Sequence, residues 1–313
     1  MMKPNLIKEA GLFFVFIFLF IILSIFVPYF FTWVNFKGLL LSVASLGMIA
    51  CTMMFCLASK DFDLSVGSQI AFAGVFSAIM INMTNSLIIS IIVVVIVGLA
   101  FGLFNGVLIT KVGINAFITT LGTMEIIRGL TYIVSGGQAV GVFNANFFVF
   151  GIGQFLGVPI PVWVTILCFL SFGILLNYSV WGKNALAVGG NAIATRLSGI
   201  SVDNIRILNF TIQGAICALA GLILASRMTS GQPTAAIGFE LNVISACVLG
   251  GVSLNGGKAT ISGVVIGVLI MGTLQNAMSL MNVDAFYQYV VRGTVLLLAV
   301  GIDQYRVARK GKK

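Results

Sequence analysis

ISACVLGGVSLNGGKATISGVVIGVLIMG, Ile244–Gly272, sets a glycine-rich loop ending in Gly-Lys between two apolar runs. A nucleotide-binding P-loop reads Gly, four residues, Gly-Lys, then Ser or Thr. Its amides cradle phosphates, its lysine reaches the terminal ones and its hydroxyl holds Mg²⁺. Counting back from Gly257 and Lys258, the first glycine falls on Val252; the hydroxyl position is Ala259, and Thr260 comes one residue late. The flanks are also wrong. A P-loop joins a strand to a soluble helix, whereas ISACVLG and ISGVVIGVLIMG read as membrane spans. No ATP is expected to bind here.

The whole chain follows those flanks. Of 313 residues, 59% are hydrophobic and 8% charged, and the mean hydropathy is +1.14; ordinary chains carry about 25% charged residues. A soluble core of this size cannot hide so much apolar surface, so the expected fold is an all-α polytopic membrane protein. Without histidine, Ser-His-Asp catalysis and histidine-ligated metals are excluded. Cys51, Cys56, Cys168, Cys217 and Cys247 lie inside apolar runs without paired metal spacing, and read as small buried hydrophobes. No metal, cofactor or covalent chemistry is expected.

Apolar runs at 11–30, 38–58, 65–83, 87–109, 115–135, 161–179, 207–226, 239–252, 261–280 and 287–303 give ten segments of about the length a span needs, with 239–252 short. The first run lacks a small-residue cleavage site and reads as a retained span. With the N-terminus inside, Lys3, Lys8, Lys60, Lys111, Lys183, Arg196, Arg206, Lys258 and the basic tail Arg306, Arg309, Lys310, Lys312 and Lys313 all fall on the cytoplasmic side. Only Lys37, Arg128, Arg227 and Arg292 fall elsewhere, as orientation by positive loops requires. The net charge of +9 is therefore a topology signal and not a nucleic-acid surface. One domain, 1–313, is expected, with both termini cytoplasmic, an uncharged periplasmic loop at 136–160 and a charged cytoplasmic loop at 180–206.

An internal repeat is faintly legible. The fourth span carries Gly98, Gly102 and Asn105, and the ninth Gly263, Gly267, Gly272 and Asn276; Arg128-Gly129 and Arg292-Gly293 follow in the next spans. GxxxG spacing lets membrane helices approach closely. Spans two to five against seven to ten would form an inverted repeat, the frame of many transport pathways. Chance glycine matches in a chain with 36 glycines explain the likeness about as readily.

Polar residues in spans are costly and are used or paired. Glu125 and Arg128, at i and i+3, are expected to neutralise each other in preference to touching a substrate. Asn105, Gln213, Gln275, Asn276 and Gln288 could line a hydrophilic path for a neutral solute, or serve equally as interhelical hydrogen bonds. Asp61 and Asp63 stand at a span end, where Asp63 can cap the third helix. In the inner loop, Gly189 and Gly190 allow a tight turn, Asn191 caps a short helix from Ala192 to Ser198, and Gly199 ends it. Ile193, Leu197 and Ile200 form one apolar stripe beside Arg196. That stripe suits a soluble partner, or a loop resting on lipid headgroups.

The segment KNALAVGGNAIATRLSGI (183–200) resembles the coupling motif of the ribose-type sugar ABC permeases. DFDLSVGS (61–68), ITTLGTMEIIRGL (118–130) and ISACVLGGVSLNGG (244–257) resemble other parts of that family. CLASKDFDLSV (56–66), ASRMTSGQP (225–233) and QYVVRG (288–293) are most similar to permeases of bacterial L-arabinose importers. Thr195 stands where many relatives carry a small residue. The resemblance implies a homodimeric permease in the bacterial inner membrane, two cytoplasmic ABC ATPase subunits, a periplasmic sugar-binding protein and a monosaccharide substrate, with ribose, galactose or xylose as alternatives to L-arabinose. It also implies ATPase-coupling roles for Gly189, Gly190, Asn191, Ile193, Arg196, Leu197 and Gly199. An ion-coupled carrier would need a mid-membrane carboxylate, for which only Glu125 stands in a span. An enzyme in the bilayer has no acid pair or metal cluster to use.

Overall fold

Apolar runs of this length fold as helices because hydrocarbon satisfies no bare backbone amide. The computed structural model describes residues 3–310. In chain order its helices are α1 (Lys3–Phe26), α2 (Trp33–Ala58), α3 (Val66–Thr84), α4 (Leu87–Val107, continued by a π-helical turn Leu108–Val112) and α5 (Ala116–Ser135). There follow α6 (Val149–Ile152), α7 (Ile160–Tyr178), α8 (Val180–Gly190), α9 (Ala192–Leu197), α10 (Val202–Met228), α11 (Phe239–Leu249), α12 (Ile261–Leu280) and α13 (Ala285–Lys310). Side-chain caps set many of the starts: Thr32, Ser86, Asn115, Ser179, Asn191, Ser201 and Thr260 each accept an N–H from the first turn of the helix they precede.

Among the described residues, seven helices are long and apolar enough to cross a membrane: α2, α3, α4 with its π turn, α5, α7, α10 and α12. The remaining three expected segments are shorter apolar stretches, Ala10–Phe26, Phe239–Leu249 and Ala285–Gly301. Between α5 and α7 the expected outer loop is folded. Its two-residue strand β1 (Val140–Gly141) pairs with β4 (Ser230–Gly231) after α10, and β2 (Gln154–Phe155) pairs with β3 (Val158–Pro159). Buried Val142 and Phe147 pack there with Leu222 and Ala225 of α10.

Backbone contact at glycine organises the bundle. A Cβ added to Gly98 or Gly102 of α4 would overlap the carbonyls of Gly214 and Phe210 on α10, and one on Gly263 or Gly267 of α12 would overlap those of Gly250 and Ala246 at α11. Both GxxxG pairs therefore act as close-packing faces. The pairings also interchange under a swap of α2–α5 with α10–α13. Helix α4 packs on α10 as α12 packs on α2; α3 packs on α10, α4 and α5 as α11 packs on α2, α12 and α13. That correspondence is what an internal repeat produces.

The short eighth segment has a structural reason. Sγ of Cys247 donates to the Ala50 carbonyl, 3.6 Å away, near the middle of α2. Glu240 lies about 10 Å further along α11 at 1.5 Å per residue, beside Gly67 at the start of α3. So α11, at 11 residues, runs beside only part of α2. The chain between α10 and α11, residues 229–238, forms β4 and then turns without helix. Irregular backbone at membrane depth needs partners inside the protein or a water-filled cavity.

Candidate functional site

Three features stand out, and the first is the end of the bundle that carries α8 and α9. The helix α9 forms as its sequence requires. Asn191 Oδ1 accepts the Ala194 N–H at 3.0 Å, and Gly199 takes φ +83° at the far end. Thr195 is the buried residue of α9, donating to the Asn191 carbonyl at 2.8 Å, while Ile193 and Leu197 are 76% and 85% exposed and Ile200 is half-buried. Two large apolar knobs thus project from a polar surface. Arg196 is held from beside them by Asp203 (3.3 Å), which also binds Lys111 (2.9 Å).

The expected tight turn at Gly189-Gly190 is not formed; both residues complete α8, and the chain breaks one residue later at Asn191, with φ −158°. Their glycine character serves close approach instead. The Gly257 N–H donates to the Ala58 carbonyl at 2.8 Å, and a Cβ on Gly189 would overlap that same carbonyl while lying 2.7 Å from Gly257 N. One on Gly257 would lie 2.9 Å from Gly190 Cα. The loop that imitates a P-loop is thus a backbone joint between α2, α8 and the start of α12. Gly256 and Gly257, at φ +77° and +73°, hold its turn.

The second feature is the link between α2 and α3. Asp61 is 1% exposed and its carboxylate receives the Arg206 guanidinium by two bonds, one of 2.6 Å from Nε. Burial pushes the Asp61 carboxyl up, and Arg206 opposes that push. Asp63 does not cap α3 directly. Ser65 occupies the cap position without accepting a backbone N–H of the helix, and Asp63 Oδ1 accepts both its N–H (2.9 Å) and its hydroxyl (2.6 Å). Ser65 Oγ in turn accepts from Gln69 (2.8 Å) and Asn105 (2.9 Å). Burial pushes the Asp63 carboxyl up to about 6. No sequence signal joins Asp61 to Arg206, because that contact is purely tertiary.

The third is the mid-depth break before α11. Arg128 does not form a salt bridge with Glu125. Its Nη1 donates to the carbonyls of Pro233 (2.7 Å) and Ala235 (2.9 Å), two acceptors the unwound segment would otherwise leave bare. The two side chains leave α5 in different directions, Arg128 inward and half-buried, Glu125 outward and exposed. The first turns of α3 and α11 meet beneath the segment, with an added Gly67 Cβ falling 2.7 Å from Glu240 Oε2.

The five polar residues expected along a path do not converge within the chain. Asn105 and Gln213 are fully buried between α3, α4 and α10, Gln213 reaching Cys217 at 3.6 Å. Asn276 donates to Asn35 at 2.8 Å, Gln275 is half-buried beside it, and Gln288 donates to the Val283 carbonyl at 2.9 Å. The bonds of Asn105, Gln213, Asn276 and Gln288 run between helices or to near neighbours in the chain.

Residues 35–300 match the family described as "Branched-chain amino acid transport system / permease component". The chain is 54% identical over 302 residues to the L-arabinose transport system permease protein AraH of Escherichia coli K12, covering 96% of this chain and 92% of that one. Against the L-arabinose ABC transporter permease protein AraH of Azospirillum brasilense it is also 54% identical over 302 residues, with 96% and 89% covered. The ribose import permease protein RbsC of Bacillus subtilis is 41% identical over 306 residues, with 97% and 95% covered. No solved structure matches. Apolar helices and likeness along nearly the full length agree: this multi-pass membrane protein is a permease subunit, and it belongs to the branched-chain amino acid transport system / permease component family.

Proposed function

We propose that the chain is the membrane-spanning subunit of an ATP-binding-cassette importer that carries L-arabinose across the bacterial inner membrane. The observation that carries this reading is the 54% identity over 96% of the chain to L-arabinose permeases, against 41% to a ribose permease. ATP is hydrolysed by two copies of a separate cytoplasmic ATPase, a periplasmic binding protein delivers the sugar, and two permease chains pair around the path. In this reading ten segments cross the membrane, with both termini and α9 inside and the folded loop 136–160 outside. In a strain lacking its own arabinose uptake, expression of the complete system restores import of labelled L-arabinose; import of ribose, galactose or xylose in its place would reassign the substrate.

The exposed Ile193 and Leu197 of α9 are the anchors for the ATPase. Truncating such an anchor costs about 1–3 kcal/mol, roughly tenfold to hundredfold in contact affinity. Leu197→Ala therefore uncouples uptake from ATP hydrolysis or releases the ATPase from the membrane, while inserted permease stays near the wild-type level. Gly199→Val has the same outcome through the backbone, because a β-branched residue is strained at φ +83°. Uptake per inserted permease, beside ATPase co-purification, is the measurement; wild-type values for both variants would sink the docking role.

Orientation has its own check. The five native cysteines are all buried, so a cysteine placed at Asn146 reports alone. It is labelled by an impermeant maleimide on intact cells, whereas one placed at Lys183 is labelled only after permeabilisation.

A further inference from the structure

We propose that the unwound segment before α11 and the outward face of α5 form a sugar-binding station at mid-membrane, with Glu125, Glu240, Thr234 and Tyr289 as its contacts. The inference rests on the sugar-permease reading and adds the place where the sugar pauses.

Glu125 is the tenth of the 20 residues of α5, and it is exposed. Hydrocarbon does not tolerate a carboxylate there, so this face looks onto water or a polar solute. Nothing in the described chain covers it: Gly122 and Gly129, one turn to either side, have no atom within 4 Å of an added Cβ. Glu240, in the first turn of α11, is the other carboxylate in Coulombic reach of Arg128. Arg128 is committed to the carbonyls of Pro233 and Ala235, so it holds the segment's shape and leaves both carboxylates without a salt bridge among the described residues. Between those carbonyls, Thr234 is exposed.

An aromatic wall completes the station. Tyr289 of α13 comes 3.8 Å from an added Cβ on Gly238, the residue that precedes α11, and its ring is about half exposed with Arg292 5.3 Å from the centroid. Carboxylates take hydroxyl hydrogens in strong charge-assisted bonds, and an aromatic ring takes the C–H face of a pyranose. A neutral monosaccharide presents both surfaces. An amino acid would bring an ammonium and a carboxylate, and its carboxylate would meet two acceptors of its own sign. The station selects polyols by chemistry and leaves the finer choice among them to the delivering protein.

Site protection in the assembled permease–ATPase complex tests this. Ile237→Cys, an exposed position of the same segment that is not among the contacts, supplies one accessible thiol, since the native cysteines are buried. L-arabinose at four times its dissociation constant is expected to slow alkylation of the introduced thiol by a small methanethiosulfonate about fivefold, because one fifth of sites remain free. Adding Glu125→Gln or Tyr289→Ala abolishes that protection. An alkylation rate indifferent to sugar, in a complex that imports it, overturns the station and leaves the permease reading intact. So does protection that survives both substitutions. Should Glu125→Gln fail to assemble, Tyr289→Ala decides. A parent complex that imports no sugar, while its ATPase responds normally, removes the sugar reading and the station with it.

Discussion

Arg206→Ala is expected to remove most of the folded permease from the membrane. Asp61 is 1% exposed and Arg206 29%, so the substitution leaves a carboxylate in the interior without its counter-charge. Breaking a buried pair from one side costs about 3–5 kcal/mol. Partial access of water at the Arg206 side places this case near the lower end, still a large share of the roughly 5–15 kcal/mol of a typical fold. The double change Asp61→Asn with Arg206→Ala removes the stranded charge and recovers folded protein. Thermal unfolding in detergent, read with membrane yield, gives the comparison. A double variant no more stable than Arg206→Ala would mean that Arg206 acts by packing and not by pairing.

Patterns that repeat within a helix turn were legible in the sequence, and contacts between distant segments were not. Hydropathy finds the apolar runs, because a bilayer imposes one length and one chemistry on every span. Asn191 and Gly199 set the ends of α9 by local bonds that depend only on their neighbours. Glu125 and Arg128 show the limit. An i, i+3 spacing permits a salt bridge, but Arg128 turns to the carbonyls of Pro233 and Ala235, more than a hundred positions later, which helix bonding leaves without a donor. Gly189-Gly190 shows the same thing for the backbone, since a glycine pair can mean a turn or an abutment and only the partner decides. The station around Glu125 had one readable sign, a carboxylate in the centre of an apolar helix.

Gly189→Ala is expected to be severe and its neighbour Gly190→Ala mild. An alanine methyl at 189 overlaps the Ala58 carbonyl and crowds Gly257 N, whereas the added atom at 190 meets nothing within 4 Å. Backbone cannot swing aside as a side chain does. Overpacking of this kind costs about 1–3 kcal/mol and sometimes more. Displaced from α2 and the 250–260 loop, α8 no longer holds α9 in place for the proposed ATPase contact, so uptake is expected to fall about fivefold or more on the same scale. Gly190→Ala keeps uptake within about twofold, in the range of surface changes. Uptake per inserted permease for the two variants is the test. Equal losses would show that helix propensity at the end of α8, rather than the abutment on Ala58, is what matters.

The glycine seam between α4 and α10 sets a timetable for synthesis. Gly98 and Gly102 meet partners beyond position 209, and a ribosome adding about 5–20 residues per second needs on the order of ten seconds to supply them. During that interval Asn105, later enclosed by α10, sits in the bilayer without that cover. Neither half of the repeat can close by itself, because each takes its central neighbour from the other. A chain released before α10 therefore exposes small-residue faces and polar side chains to lipid, the features by which membrane quality control recognises an unfinished protein. The tight seam that stabilises the finished permease thus leaves any copy released before α10 with its small-residue face open.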